Sequence, residues 1–174
     1  MKGRALGLIT VLIVVAAGSW WFLTHRGGNA VGETIQIYYT KAADGTSEVA
    51  WPVSMRPPVA GESPAEHLKN AAQYAALQSV IGPAVDVQAV RFPAGTRVLS
   101  ASVAGSTATV DLSGEVKNQP GGTFGENGEF KSLVYTLTAL PGIDAVQVLV
   151  EGRKLDSLPG GHLELDTPLH RADF

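Results

Sequence analysis

The stretch Phe92–Ser113 reads FPAGTRVLSASVAGSTATVDLS, and its alternation of apolar and polar residues decides the fold. The apolar positions in its two halves are Leu99, Ala101, Val103, Ala108, Val110 and Leu112. A period of two residues places one face of a strand on a core and the other in water. Gly105 and Ser106 lie between the halves, where glycine supplies the positive φ of a tight hairpin turn. The stretch therefore predicts a β-hairpin over Arg97–Leu112 with one buried face.

A helix is predicted on each side of this hairpin. The first runs over Ser63–Ile81, because Ser63 and Glu66 form a capping box and Pro64 occupies the first helical position. The second runs over Glu129–Leu140 and carries an apolar stripe at helical spacing, formed by Phe130, Leu133, Val134 and Leu137. The glycine-rich segment Gly114–Gly128 before it is expected to be a flexible loop.

The remaining apolar runs predict strands. These are Thr34–Thr40, Glu48–Met55, Ile143–Val150 and a short edge strand over Lys154–Leu158. Pro52 restricts the second run to an edge, since proline has no N–H for a central ladder. The predicted fold class is α+β in the order β-α-β-β-α-β. Two helices are expected to pack on one face of a small mixed or antiparallel sheet.

The amino-terminal segment predicts a membrane anchor. Residues 5–23 carry no charge and follow Lys2 and Arg4. As a helix they would cover ~30 Å, the hydrocarbon thickness of a bilayer. A cleaved signal peptide, cut after small residues near 15–17 or 28–30, is the alternative. Either interpretation makes the globular part extracytoplasmic, with an anchor over 1–23, a linker over 24–33 and one domain over 34–174.

Composition narrows the function classes. The chain has 174 residues and a formal net charge of −3, so it lacks the broad basic character of a nucleic-acid-binding protein. It contains no cysteine, which excludes disulfides, thiolate metal sites, a cysteine nucleophile and an acylated lipoprotein cysteine. No GxSxG elbow or phosphate-binding glycine motif is present. We therefore assign no catalytic, cofactor-binding or metal-binding residue and expect a chain that is not an enzyme.

Two groups of side chains still merit a functional interpretation. In the tail, Leu163 and Leu165 are expected to point inward, whereas an imidazole and carboxylate cluster formed by His162, Glu164, Asp166 and His170 is exposed. Such ligands suit a metal, but a solvated strand face has the same pattern. The aromatics Tyr38, Tyr39, Trp51 and Phe124 are candidates for contact with a bound wall component, and Trp51 is otherwise expected to anchor the core or its rim. His67, next to Leu68, is expected at the surface or at its boundary.

Four segments together resemble the GerMN domain family of bacterial sporulation and spore-germination proteins. They are Phe92–Thr96, Ala108–Leu112, Tyr135–Gly142 and Asp166–Arg171, within a similarity that covers about Thr34–Arg171. The resemblance implies a small α+β domain similar to ring-building motifs, located outside the cytoplasmic membrane and without its own enzymatic activity. Many relatives carry two such domains, and many are lipoproteins, whereas this chain has room for one domain and lacks the cysteine.

Three functions are weighed on this basis. The first is a membrane-tethered assembly module of the cell envelope, whose partners are envelope proteins or further copies in a homo-oligomer. The second is a module that binds peptidoglycan or a small ligand. The third is a hydrolase or metal-dependent enzyme that uses the tail residues His162, Glu164, Asp166 or His170.

Overall fold

The computed structural model describes residues 33–84, 87–118 and 122–174. Over these residues the elements follow in the order β1 (Glu33–Thr40), β2 (Glu48–Met55), α1 (Pro64–Ile81), β3 (Val98–Ala104), β4 (Thr107–Leu112), α2 (Gly122–Leu137) and β5 (Ala145–Val150). Short 3₁₀ turns occupy Gly114–Lys117 and Arg171–Asp173. None of the helices in this part of the chain is long and apolar enough to cross a bilayer. The expected anchor over 1–23 lies outside the described residues.

The strands form two sheets, where one was expected. β1 and β2 make an antiparallel hairpin, and β3, β4 and β5 make a second sheet in that order. In the second sheet β4 is antiparallel to β3 and parallel to β5, with α2 in the crossover to β5. The α+β class is therefore confirmed, but the single sheet is wrong. The reason is that β1 borders α2 on its second edge instead of another strand.

Side-chain hydroxyls of α2 complete that edge of β1. The N–H of Tyr38 donates to Thr136 Oγ1 at 2.9 Å, and the N–H of Thr40 donates to Ser132 Oγ at 2.9 Å. Thr40 Oγ1 in turn donates to the carbonyl of Gly128 at 2.8 Å. Gly128, Ser132 and Thr136 recur every four residues, so they lie on one face of the helix. A strand edge is thus hydrogen-bonded by a helix.

The central hairpin forms as predicted except at Leu99. Ala108, Val110 and Leu112 are fully buried, and Ala101 is buried opposite Val110. The register shifts between Val98 and Ser100, which is a β-bulge. Bulges insert one unpaired residue and re-aim its side chain. Leu99 is therefore 48% exposed, and the prediction that it joins the core is wrong.

The first helix confirms its sequence signals. Ser63 Oγ accepts from the N–H of Glu66 at 3.2 Å, and the Glu66 carboxylate accepts from the N–H of Ser63 at 2.9 Å. The buried face is made largely of small residues: Ala71, Ala72, Ala75, Ala76, Ser79 and Val80. Small side chains let this helix approach β3 and α2 closely. Gly82, with φ of 80°, follows the last helical residue.

The second helix begins seven residues before its predicted start. Residues 122–128, expected in a loop, are helical, and the helix ends at Leu137 rather than Leu140. A Cβ on Gly128 would lie 2.8 Å from side-chain atoms of Val90. Glycine here permits close packing and does not mark flexibility. The apolar stripe is confirmed, since Phe130, Leu133, Val134 and Leu137 are all fully buried.

The last strand is covered on both faces. Val146, Val148 and Val150 are buried, and so is Gln147 on the opposite face. The tail crosses its outer edge, where Val146 and Leu169 exchange two backbone hydrogen bonds of 2.9 and 2.8 Å. Gln147 Nε2 also donates to the carbonyl of Leu165 at 2.8 Å. The predicted strand over Lys154–Leu158 is absent from the structure of this described segment; just before it, Val150 and Arg153 form an isolated bridge.

Candidate interaction surface

The outer edge of β2 is the accessible edge of the β1–β2 hairpin. The N–H groups of Tyr38 and Thr40 point away from β2, because both donate to α2. In an antiparallel pair the N–H groups of successive residues point alternately toward and away from the partner strand, so the N–H of Gln36 also points away from β2. Gln36 lies directly opposite Pro52, and opposed residues share the same orientation. The ring nitrogen of Pro52 therefore lies on the outer edge of β2. That edge lacks one donor at its centre.

A second feature limits strand addition at the same edge. The hydroxyl of Tyr74 on α1 donates to the carbonyl of Ser54 at 3.2 Å. Proline and coverage of edge groups are devices by which natural sheets avoid uncontrolled pairing. Both features hinder the addition of a further strand to β2 through a continuous backbone ladder.

Trp51 is the prominent side chain of this strand. It is 45% exposed, although it lies opposite the fully buried Ile37 on the core-facing side of the hairpin. Val49 and Val53, on the same face, are partly buried against the core. Aromatic side chains at the margin of a core are typical of protein interfaces, where tryptophan is enriched. We call the exposed middle of this edge strand, with Ala50 and Pro52 on one face and Trp51 and Val53 on the other, the β2 surface.

Charged pairs lie at the two ends of this strand. Glu48 pairs with Lys131 Nζ at 3.3 Å, and Lys131 also donates to the carbonyl of Thr46. At the other end Arg56 pairs with Glu62 at 2.7 Å. An apolar centre between charged ends resembles the core-and-rim arrangement of protein interfaces.

The other candidate aromatics have different environments. Tyr39 is buried, its hydroxyl donates to the carbonyl of Gln78 at 3.2 Å, and burial raises its pKa while Arg91 opposes the rise. Phe124 is 51% exposed and covers the hairpin turn, because a Cβ on Gly45 would lie 2.1 Å from its ring. Tyr39 therefore has no exposed ring face for stacking, and Phe124 holds the turn.

Tyr38 belongs to a cation–aromatic cluster that sequence reasoning missed. Its ring packs edge-on against Tyr135 with centroids 6.1 Å apart, and the Arg171 guanidinium lies 4.7 Å from the Tyr135 ring and 5.4 Å from the Tyr38 ring. Arg171 also donates to Thr138 Oγ1 at 2.7 Å and to the Tyr135 carbonyl at 2.9 Å. A cation at a helix carboxyl end is favourable. The cluster fastens the tail and β1 to α2.

The tail residues do not assemble into a metal site. His162, Glu164, Asp166 and His170 are all exposed, and no group of three or more possible ligands occurs within residues 33–84, 87–118 and 122–174. The N–H of His162 donates to the buried Glu126 carboxylate at 2.8 Å, and His170 Nδ1 lies 3.2 Å from the Asp144 carbonyl. Leu165 is buried and Leu163 packs partly against the core, as predicted.

Comparison with known families identifies the domain. A family model described as "Sporulation and spore germination" matches residues 36–156, from β1 to just beyond β5. The chain belongs to this family, Germane. The predicted resemblance to GerMN domains is thereby confirmed. The tail residues His162 to His170 lie outside the matched range, whereas the β2 surface lies within it.

Solved structures agree with this Germane assignment. The chain is similar to the tandem GerMN domains of the sporulation protein GerM from Bacillus subtilis, with 26% identity, a TM-score of 0.57 and 82% of this chain covered. It spans 47% of that structure, about half its length. The first GerMN domain of the same protein matches at 26% identity and a TM-score of 0.55, with 80% of this chain and 98% of that one covered.

A third structure shows likeness of fold alone. A Clostridium perfringens protein described as a lipoprotein matches at 19% identity and a TM-score of 0.57, over 82% of this chain and 89% of that one. A search of curated proteins gives no match.

Proposed function

We propose that this Germane-family chain is a membrane-tethered, extracytoplasmic and non-enzymatic assembly module of the bacterial cell envelope. Its partners are other envelope proteins or further copies of itself. Family membership supports the sporulation or germination setting. The observation that carries the contact role is the β2 surface, where Trp51 is 45% exposed beside a proline-interrupted edge.

Protected edges favour contact through side chains. The edge of β1 is bonded to α2, that of β2 contains Pro52, β3 carries a bulge and β5 is bordered by the tail. Each device discourages open-ended strand addition. A module with such edges can form a defined contact without aggregating, which suits a component of an ordered assembly.

The tether and the location are tested by introducing one cysteine and labelling it. The parent chain contains no cysteine, so any specific label reports the introduced residue. Ser102 is exposed on β3, and Ser102→Cys offers a thiol there. In intact cells or spheroplasts, a membrane-impermeant maleimide should label this variant in the membrane fraction. The cysteine-free chain is the matched control for background labelling. Labelling only after lysis, or recovery of the chain in the cytosol, would contradict the proposal.

The contact role is tested with two exposed apolar positions of similar exposure. Trp51→Ser should reduce function in a strain that depends on the chain, because it removes the apolar centre of the β2 surface. Leu99→Ser changes a side chain that is 48% exposed at the bulge of β3, and it should leave function intact. Equal loss in both variants, at equal protein levels, would overturn the assignment of the β2 surface.

The non-enzymatic assignment is tested in the tail. Replacing His162 and His170 together by alanine should leave function unchanged, since both side chains are exposed outside the family match. Loss of function in a double variant that still folds would favour a metal-dependent or hydrolytic activity instead.

A second candidate function is a small-ligand-binding module. One observation favours it, namely a cleft of about 400 Å³ beside the first turn of α1. Clefts that bind small molecules commonly have volumes of roughly 300–1,000 Å³.

A further inference from the structure

The cleft is lined by three segments of the chain. They are the start of β1, the region from Pro58 through the first two turns of α1, and the connection after α2. Its apolar wall is aliphatic and consists of Pro58, Pro64, Leu68, Ala71, Leu140 and Pro141. Its polar wall contains Glu33, Glu62, Ser63 and His67. A bound molecule would therefore meet both aliphatic side chains and the ionisable groups of Glu33, Glu62 and His67.

His67 and Glu62 are already hydrogen-bonded within the polar wall. His67 Nε2 lies 2.7 Å from Glu33 Oε2, and Nδ1 lies 3.3 Å from Glu62 Oε2. The Glu62 side chain is 5% exposed and accepts from Arg56, from Asn70 and from the N–H of Val59. These donors satisfy Glu62 and hold its pKa well below the usual range, with Arg56 the largest cause.

Glu33 differs from Glu62 in exposure and in its partners. Its side chain is 46% exposed, and Oε2 is bonded to His67. Within the described part of the chain, no hydrogen bond engages Oε1. An ionised carboxylate only accepts hydrogen bonds, and a cationic donor makes a bond about twice as strong as a neutral donor does. The open acceptor of the cleft therefore favours a cationic donor.

The charge balance points the same way. Arg56 offsets the charge of Glu62. The carboxylate of Glu66 accepts from the N–H of Ser63 and caps the start of α1. Glu33 raises the pKa of His67, so only above that raised pKa is the imidazole neutral and the negative charge of Glu33 left unpaired at the rim of the cleft. The lining residues include no Phe, Tyr or Trp, so the cleft lacks the aromatic cage that recognises quaternary ammonium groups.

We propose that this cleft binds a small organic cation with an aliphatic body and a primary ammonium group. The ammonium donates to Glu33, and the hydrocarbon chain lies against Leu68, Ala71 and Leu140. This inference rests on the second candidate function and is independent of the β2 surface, which lies on a different part of the hairpin.

The test compares two small probes on the full-length chain in deuterated detergent micelles. With ¹³C-labelled methyl groups, pentylammonium should shift the signals of Leu68, Ala71 and Leu140 in a saturable manner. Pentanol has the same hydrocarbon body but only a neutral donor and should bind about tenfold more weakly, since a cationic donor makes a hydrogen bond about twice as strong as a neutral donor does. Equal affinities for the two probes would overturn the proposal.

A matched pair of variants locates the charge. Glu33→Gln should weaken pentylammonium about tenfold and leave pentanol unchanged, because only the charged interaction is lost. Glu164→Gln removes an exposed carboxylate of the tail and should change neither affinity. Unchanged methyl signals of the core residues Leu112 and Leu165 establish that each variant is folded. Undiminished binding by Glu33→Gln, or shifts that never saturate, would refute the site.

Discussion

The two edges of the β1–β2 hairpin are protected from further strand pairing in different ways. The β1 edge is buried and bonded to the hydroxyls of Ser132 and Thr136, whereas the β2 edge is exposed and interrupted by Pro52. The first arrangement depends on a helix that lies about ninety residues later in the chain. The second depends on one residue within the strand. One edge thus joins the hairpin to the rest of the fold, and the other is exposed beside the surface for which we propose a contact role.

Removing a hydroxyl at the β1 edge should have the largest effect. Ser132→Ala and Thr136→Val each leave a strand N–H without its acceptor, and Thr40 is fully buried. Each should lower the free energy of unfolding by about 1–3 kcal/mol, the cost of an unsatisfied buried polar group. Chemical denaturation of the full chain measures the change. Ser102→Ala, at an exposed serine of β3, is the control and should stay within about 0.5 kcal/mol.

Enlarging Gly128 tests the same interface by steric means. A Cβ at this position would lie 2.8 Å from Val90, so Gly128→Ala should destabilise by about 1–3 kcal/mol despite the better helix propensity of alanine. Thermal unfolding gives the result. The paired variant Gly128→Ala with Val90→Ala should recover part of the loss. A Gly128→Ala chain as stable as the parent would show that the helix and segment 87–92 pack less tightly than described.

Restoring a donor at the β2 edge should change association more than stability. Pro52→Val supplies the missing N–H, so strand pairing between copies should strengthen. Sedimentation velocity should show a shift to larger species at concentrations where the parent chain does not change. Pro52→Lys restores the same N–H but adds a charge, which protects edges, and should associate less than the valine variant. Identical behaviour of both variants and the parent would mean that Pro52 does not control the edge.

The smallest predicted effect is the pH dependence at the start of β1. Glu33 and then Glu62 raise the pKa of His67 above its ordinary value of 6.5, with desolvation opposing them. A raised folded-state pKa adds stability that is complete below the unfolded value and is lost as pH rises through the folded value. His67→Gln should flatten the stability profile above about pH 6.5.

The control for this pH profile is His162→Gln, which changes an exposed histidine of the tail. Its stability should follow the parent profile. If both variants change the profile equally, the ion pairs of His67 do not fasten β1 to α1.

The features that were predicted correctly from the sequence are those set by residues close together in the chain. The capping box of Ser63 and Glu66 gave the start of α1, and Pro52 identified β2 as an edge strand. The glycine-rich start of α2 was misinterpreted as a loop, whereas glycine at position 128 permits the approach of Val90, 38 residues earlier in the chain. The positions of a glycine and two hydroxyls on one helical face do not reveal that a strand will lie against them.

The candidate surfaces were predictable only in part. Trp51 was named as an anchor in the core or at its rim, with ligand stacking as the alternative, and it is exposed at the margin of the core. Tyr39 was named as a candidate for contact with a wall component but is buried, because residue type does not reveal which face of a strand is covered. The cleft requires a contact between Glu33 and His67, which are 34 residues apart in the chain. The cation–aromatic cluster requires a contact between Arg171 and Tyr135, which are 36 residues apart. Such pairings are products of the tertiary fold.

The most direct test of the central claim is site-specific photo-crosslinking in cells at two exposed positions. A photoreactive amino acid replaces Trp51 in one strain and Leu99 in another, and adducts of the full-length chain are compared. The proposed function predicts one discrete adduct at position 51, with either a second copy or an envelope protein, and none at position 99. Adducts of equal yield at both positions, or none at position 51 in a functional strain, would contradict it.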